Sequence, residues 1–319
     1  MNKMLTKTMQ RPLKPTLAAL LTAVALSTGM LATTASHAQG QTREGVEVGK
    51  QSGLARLVPA EQVEAAATQQ YEQMKAQARQ QNALVPDNHP QVVRLRAIAT
   101  RLIPYSLKWN ERAKAWQWQV MLLNSKDINA FCMPGGKIAF YTGILEKLQL
   151  TDDEVAMIMG HEMAHALREH ARERMGKTTA TRLGVNLLSG LLGLGNTGDA
   201  LLGMGAQLLT LKFGREDESE ADLVGMELAA RAGYDPRAGV SLWQKMAAAS
   251  KGAPPQFLST HPSGSTRISD IQANLGRVMP LYERAGKPTQ RFDAARQVGE
   301  AYLDRSLWLA YWGKSDAVQ

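Results

Sequence analysis

Gly160-His161-Glu162-Met163-Ala164-His165 is the stretch on which the reading of this chain turns. On an α-helix, residues four apart lie above one another on one face. His161 and His165 can therefore offer ring nitrogens to one ion, and Glu162, about 100° around the helix, can reach a water beside it. The spacing is HExxH, in which two histidines bind zinc and the glutamate serves as general base in peptide hydrolysis. The competing reading is a pair of packed or solvated histidines on an ordinary helix. The preceding residues weaken that alternative. Thr151-Asp152-Asp153-Glu154 has the form of a capping box that starts a helix. Val155, Ala156, Ile158 and Met159 then make the helix apolar and buried. Buried histidines and a buried glutamate need a compensating partner, and a metal is one.

Downstream, the helix is expected to continue through Arg168, His170 and Arg172. Five residues from His165, His170 would then be turned roughly 140° away, in a structural or supporting role rather than as a ligand. The glycine and third histidine that metzincins place after the motif are replaced by Arg168 and Ala171, so a third ligand must come from elsewhere. The acidic run Glu216-Asp217-Glu218-Ser219-Glu220-Ala221-Asp222 opens a later helix that stops at Gly233. Within it Glu218 and Asp222 share a face. Glu218 can complete a two-histidine, one-carboxylate site, and Asp222 can accept the outer ring N–H of a ligand histidine. Glu220 is the competing third ligand, but no carboxylate follows it four residues on. Glu216 and Asp217 are accounted for by the helix dipole.

Upstream, the period changes at Trp116 to Asn124, where Trp116, Trp118, Val120 and Leu122 alternate with their neighbours as in a strand. Ile128 to Met133 and Lys137 to Tyr141 flank Pro134-Gly135-Gly136, a hairpin turn. A small sheet thus precedes the histidine helix. One of its edges could hold an extended peptide, or the hairpin could simply pack on the helix. Two earlier helices, Pro59 to about Leu84 and Pro90 to about Leu102, read as scaffold, the alternative being a pro-piece over the cleft. The apolar stretch Leu183 to Leu211, broken at Gly193 to Asp199, reads as two short helices. They serve as core packing, as a lid, or as a surface in peripheral contact with lipid; neither half reaches spanning length.

The first 38 of 319 residues have the pattern of a cleaved secretory signal: Lys3, Lys7, Arg11 and Lys14 without an acid, an apolar run from Leu17 to Leu31, then Ser36-His37-Ala38. Residues 39–53 follow as a loose polar leader. The full chain's net charge is +8; less those four basic residues it is +4, which does not call for nucleic acid. Cys132 is the only cysteine, so no disulfide can form within the chain, and the thiol reads as a small buried residue. A bacterial periplasm fits these features.

The combination of His161-Glu162-Met163-Ala164-His165, Glu218-Ser219-Glu220-Ala221-Asp222 and Thr260-His261-Pro262 followed by Arg267 resembles the zinc metallopeptidase family of the CAAX prenyl endopeptidases, HtpX and BepA. Asn129-Ala130-Phe131 with Pro134-Gly135-Gly136 is similar to the strand-turn segment that precedes the zinc helix in its soluble bacterial members, and Asn129, Ala130 and Phe131 are the candidate substrate-binding residues if the strand edge holds a peptide. The resemblance covers about Pro90 to Leu275. It implies an α+β, mainly α, zincin-like domain with a small sheet beside the HExxH helix, and one zinc ion per chain. It also implies His161, His165 and Glu218 as ligands, Glu162 as general base, and Asp222 as partner of a ligand histidine. His261 would stabilise the oxyanion or act as an inhibitory fourth ligand, and Arg267 would anchor its loop to an acid of the site. The organisation expected is a signal (1–38), a leader and helical segment (39–89), the peptidase domain (90–275) and a helical tail packing on it (276–319). The implied activity is endoproteolysis of misfolded or stalled envelope proteins. The alternatives are an assembly factor or chaperone with a gated or structural zinc, and an exopeptidase.

Overall fold

A computed structural model describes residues 44–186, 197–250, 255–262 and 266–293, apart from the side chains of 182–186 and 197–202. The expected signal segment, the aromatic tail with Tyr302, Trp308, Tyr311 and Trp312, and the tip of the 183–211 stretch lie outside the described residues.

Two helices, α1 (Ala60–Gln80) and α2 (Pro90–Leu102), precede a three-stranded sheet of β1 (Gln119–Leu123), β2 (Ala130–Met133) and β3 (Lys137–Tyr141). The order is β1-β3-β2, with β1 and β3 parallel and β2 and β3 antiparallel. Pro134 and Gly135 form the turn, closed by Gly136 N–H donating to the Met133 carbonyl at 3.2 Å. Gly135 has φ +83° and Gly136 φ +76°, left-handed values that suit glycine, and a Cβ on Gly136 would stand 2.7 Å from the Trp118 ring. The strand begins at Gln119, later than the alternation from Trp116 suggests. Both faces of the sheet are covered. Leu122, Ile138 and Phe140 join the main core with Leu95 and Ile98 of α2, whereas Met121, Leu123 and Ala139 pack with Ala67 and Tyr71 of α1.

The short α3 (Thr142–Lys147) leads to α4 (Asp152–Leu167), which carries the histidines. Its capping box is formed: Glu154 N–H donates to Thr151 Oγ1 at 3.3 Å, and Thr151 N–H to Glu154 Oε2 at 2.8 Å. Contrary to the sequence expectation, the helix does not run on through His170. It stops at Leu167, Glu169 takes φ +58°, and α5 (His170–Asn186) starts afresh. A non-glycine residue in that region costs about 1–2 kcal/mol, so tertiary contacts hold the break.

After α6 (Thr197–Thr210) come α7 (Arg215–Arg231), α8 (Ala238–Ala249), α9 (Gln256–Thr260) and α10 (Arg267–Arg284). Helices α4 and α7 cross in backbone contact at Gly160 and Gly225. A Cβ on Gly160 would meet the Gly225 carbonyl oxygen at 2.7 Å, and one on Gly225 would meet His161 N at 2.5 Å. This crossing sets the acidic end of α7 against the histidines of α4.

Part of the leader is fastened to the domain rather than loose. Gly45 N–H donates to the Arg277 carbonyl at 3.0 Å, and Val46 N–H to Glu227 Oε2 at 2.8 Å. At the other end, α10 runs straight through the boundary expected at 275/276, and the chain after it returns to the start of α4, where Phe292 N–H donates to Asp152 Oδ2 at 2.7 Å. No helix among the described residues is long and apolar enough to cross a membrane.

Candidate metal centre

Four of the six histidines in the chain meet at the α4–α7 crossing. His161 and His165 come from α4, His170 from the start of α5, Glu218 and Asp222 from α7, and His261 from the end of α9. The His261 loop is placed by backbone bonds: Phe257 N–H donates to the Ile128 carbonyl at 3.0 Å, and Phe213 N–H to the Thr260 carbonyl at 3.1 Å. His261 also stacks on Phe257, with ring centroids 4.5 Å apart, and His165 stacks on Phe213 at 3.9 Å.

The inward-facing atoms converge. His161 Nε2 lies 3.1 Å from His165 Nε2 and 3.4 Å from His261 Nδ1. Glu218 Oε1 is 3.4 Å from His165 Nε2 and 3.0 Å from His261 Nδ1, and Glu218 Oε2 is 3.6 Å from His161 Nε2. Corners of a tetrahedron with arms of about 2.0–2.1 Å stand about 3.3–3.4 Å apart, so these separations suit ligands around one ion. His161, His165, Glu218 and His261 are each at most 3 % exposed, and their candidate ligand atoms all lie within 4.8 Å of one another. Without a shared cation several of these atoms would point lone pairs at each other, at the cost of unpaired buried polar groups. The donor set therefore fits a metal, with His261 at the fourth corner.

The supports are equally specific. His161 Nδ1–H donates to Asp222 Oδ1 at 3.0 Å, which leaves Nε2 free to ligate. Arg267 donates to both Asp222 oxygens at 2.6 Å and to Glu218 Oε2 at 2.8 Å, with its guanidinium 3.4 Å over the Trp243 ring. The Arg267 expected to anchor a loop thus binds two acids of the centre at once. Glu220 is no competitor for the ligand position: its Oε2 accepts from His170 Nε2–H at 2.9 Å.

Glu162 Oε1 is buried, has no hydrogen-bond partner, and stands 3.6 Å from His261 Nε2. Burial pushes its carboxyl above the usual range, against the pull of the nearby histidines. Burial also raises Glu218, but hydrogen bonds with His165 and His261 outweigh it and hold that carboxyl well below its ordinary value. The His165 ring is pushed well down, chiefly by burial. A cleft opens beside these groups, lined on one side by Asn129, Ala130 and Phe131 of the β2 segment and on the other by Leu208, Leu209 and Phe213. Among the described residues no strand pairs with the outer edge of β2.

Peptidase family M48 matches residues 91–275, more than half of the chain. The chain belongs to this family. The chain also aligns with the mitochondrial metalloendopeptidase OMA1 of Arabidopsis thaliana, 39 % identical over 159 residues, which covers 50 % of this chain and 32 % of that protein. The beta-barrel assembly-enhancing protease of Yersinia pestis is 30 % identical over 170 residues, 50 % of this chain and 35 % of its own length. Metalloprotease LoiP of Escherichia coli is 30 % identical over 152 residues, 46 % of this chain and 59 % of its own length. The chain thus spans less than two thirds of each. As an M48 member it has the mainly helical, zincin-like domain with a small sheet that the sequence suggested.

Sequence reasoning missed three features of this M48 site. Gly160 and Gly225 set the helix crossing, and glycines inside apolar helical patterns are the one signal that marks such contacts. Phe213 gave no sign of stacking on His165. The inward turn of His170 depends on the break at Glu169, which no glycine, proline or asparagine announces.

Proposed function

We propose that this protein is an exported zinc endopeptidase that cleaves misfolded or stalled envelope proteins. The convergence of His161, His165 and Glu218 on one point, with the unpartnered Glu162 Oε1 beside it, is the observation that carries the reading. Zinc bound there would polarise a peptide carbonyl and acidify a water. Glu162 Oε1 takes the proton of the attacking water and returns it to the leaving amine. The outer edge of β2, unpaired among the described residues, is the place for an extended peptide, with Asn129, Ala130 and Phe131 lining the cleft that would hold the scissile bond. Asp222 and Arg267 keep His161 and Glu218 aimed inward. The amino-terminal signal pattern supports a periplasmic setting, and the name of the Yersinia relative, a beta-barrel assembly-enhancing protease, supports substrates among envelope proteins under assembly. Peripheral lipid contact through 183–211 belongs to the same proposal.

The 3.0–3.4 Å approach of His261 Nδ1 to Glu218 and His161 favours a second element, a gate. His261 would hold a bound ion as fourth ligand, closing the centre to solvent and substrate until the ring moved away. Once displaced, His261 would stabilise the developing oxyanion. Digestion of an unfolded, reduced and alkylated protein by the wild type, Glu162→Gln and His261→Ala tests the set. Loss in Glu162→Gln, with cleavage by either other form into internal fragments, is expected. Activity gained only in His261→Ala identifies the gate. No cleavage by any zinc-loaded form contradicts the peptidase reading and favours an assembly factor, and release of single residues would mean an exopeptidase.

A further inference from the structure

The two α4 histidines of the centre are braced differently. His161 leans directly on a carboxylate, Asp222, itself clamped by Arg267. His165 has no carboxylate at its outer nitrogen. Its Nδ1 faces a second imidazole, His170 Nδ1, at 2.9 Å, and the far side of that ring meets Glu220 Oε2, also at 2.9 Å. Glu220 is in turn ion-paired by Arg168, NH2 to Oε1 at 2.6 Å. Each relay ends in a carboxylate of α7 and an arginine, but the second is one ring longer.

The hydrogen positions in this relay follow from its ends. Glu220 beside an arginine is an acceptor, so His170 carries its proton on Nε2 and presents the bare Nδ1 to His165. His165 must then hold its own proton on Nδ1, and its Nε2 is left with a lone pair directed at the point it shares with His161 and Glu218. The chain maintains a left-handed residue at Glu169 to bring His170 into this position. His170 is only 1 % exposed, and the described structure gives it no polar contact besides these two.

We infer that His170, oriented by Glu220, is a positioning residue that selects the tautomer and ring angle of His165 and so tunes its hold on the metal. The inference rests on the reading of His165 as a ligand.

Full-length protein stripped of metal and titrated with zinc ion against a chromophoric chelator gives the test. His170→Phe keeps ring volume and removes the acceptor; it should weaken zinc binding by about 10–100-fold, the usual cost of losing such a partner. His170→Asn puts an amide oxygen near the place of Nδ1 and should restore most of the affinity. Equal affinity in all three forms, or equal loss in both variants, overturns the inference, the latter because it marks a packing role. A second readout needs no variant: in zinc-loaded wild type labelled with 15N-histidine, His170 should be neutral with its proton on Nε2, and a proton on Nδ1 overturns the assignment. His165→Ala separates the two ideas. Unchanged zinc affinity in that variant defeats the ligand reading itself, whereas loss there with none in His170→Phe defeats only this inference.

Discussion

The two ends of α4 bury charge to opposite effect. At its start, every carboxylate has a matching donor. Asp152, 1 % exposed, accepts from Arg94 Nε at 2.7 Å and from Phe292 N–H. Asp153 pairs with Arg291 at 2.5 Å and accepts from Asp235 N–H at 2.9 Å. Glu154 closes the capping box and accepts from Ser241 Oγ and from Lys245 Nζ. Ten residues on, His161, Glu162 and His165 face Glu218 and His261 with acceptors turned towards acceptors and one carboxylate oxygen unpartnered. The first end is complete within the protein and holds the fold. The second becomes complete only with a ligand, which marks it as the working end.

Substitutions at the two ends should separate activity from stability. The largest effect is expected at Glu162→Gln, where loss of the general base should cut turnover by about 10²–10⁴-fold while zinc content and melting temperature stay near wild type. Retained proteolysis in that variant would break the contrast from the working end. Asp152→Ala tests the other end, since it strands the Arg94 guanidinium, 3 % exposed, in the interior. Urea unfolding should show about 3–5 kcal/mol lost, with zinc per chain unchanged in the folded fraction. A loss under about 1 kcal/mol would show that this end is not held by its charges.

Gly225→Ala should join the two signatures. A Cβ there meets His161 N at 2.5 Å, so α7 must move away from α4 and take Glu218 and Asp222 with it. About 1–3 kcal/mol of stability should go, with a weaker hold on zinc measured by chelator competition. Lost stability at wild-type zinc affinity would mean that the crossing does not set the ligands. The smallest effect belongs to Thr151→Ala, which removes one cap bond at the well-satisfied end. Thermal melts should show about 1 kcal/mol lost and proteolysis unchanged.

What could be read in advance follows the range of the forces involved. The cap at Thr151, the Pro134-Gly135-Gly136 turn and the stop at Gly233 are local backbone chemistry, and each lies where its residues announce it. The clustering of Glu218 and Asp222 with His161 followed from spacing and resemblance together. The break at Arg168 and Glu169 did not. Local propensity there favours continued helix, and the contacts of His170 and Arg168 with Glu220, at least fifty residues further along the chain, prevail. For the same reason the polar, glycine-containing leader gave no hint that Gly45 and Val46 are held by Arg277 and Glu227. The pairing of β1 with β3 rather than with its neighbour in sequence is also a product of packing, because helices cover both faces of the sheet.

Metal analysis of purified full-length protein bears most directly on the account, with wild type and Glu218→Ala compared after equilibration in micromolar zinc. The account predicts about one zinc ion per chain in the wild type and a large loss in the variant, with the fold retained by circular dichroism. A wild type that takes up no metal, or a Glu218→Ala protein that holds zinc as tightly as its parent, would contradict it.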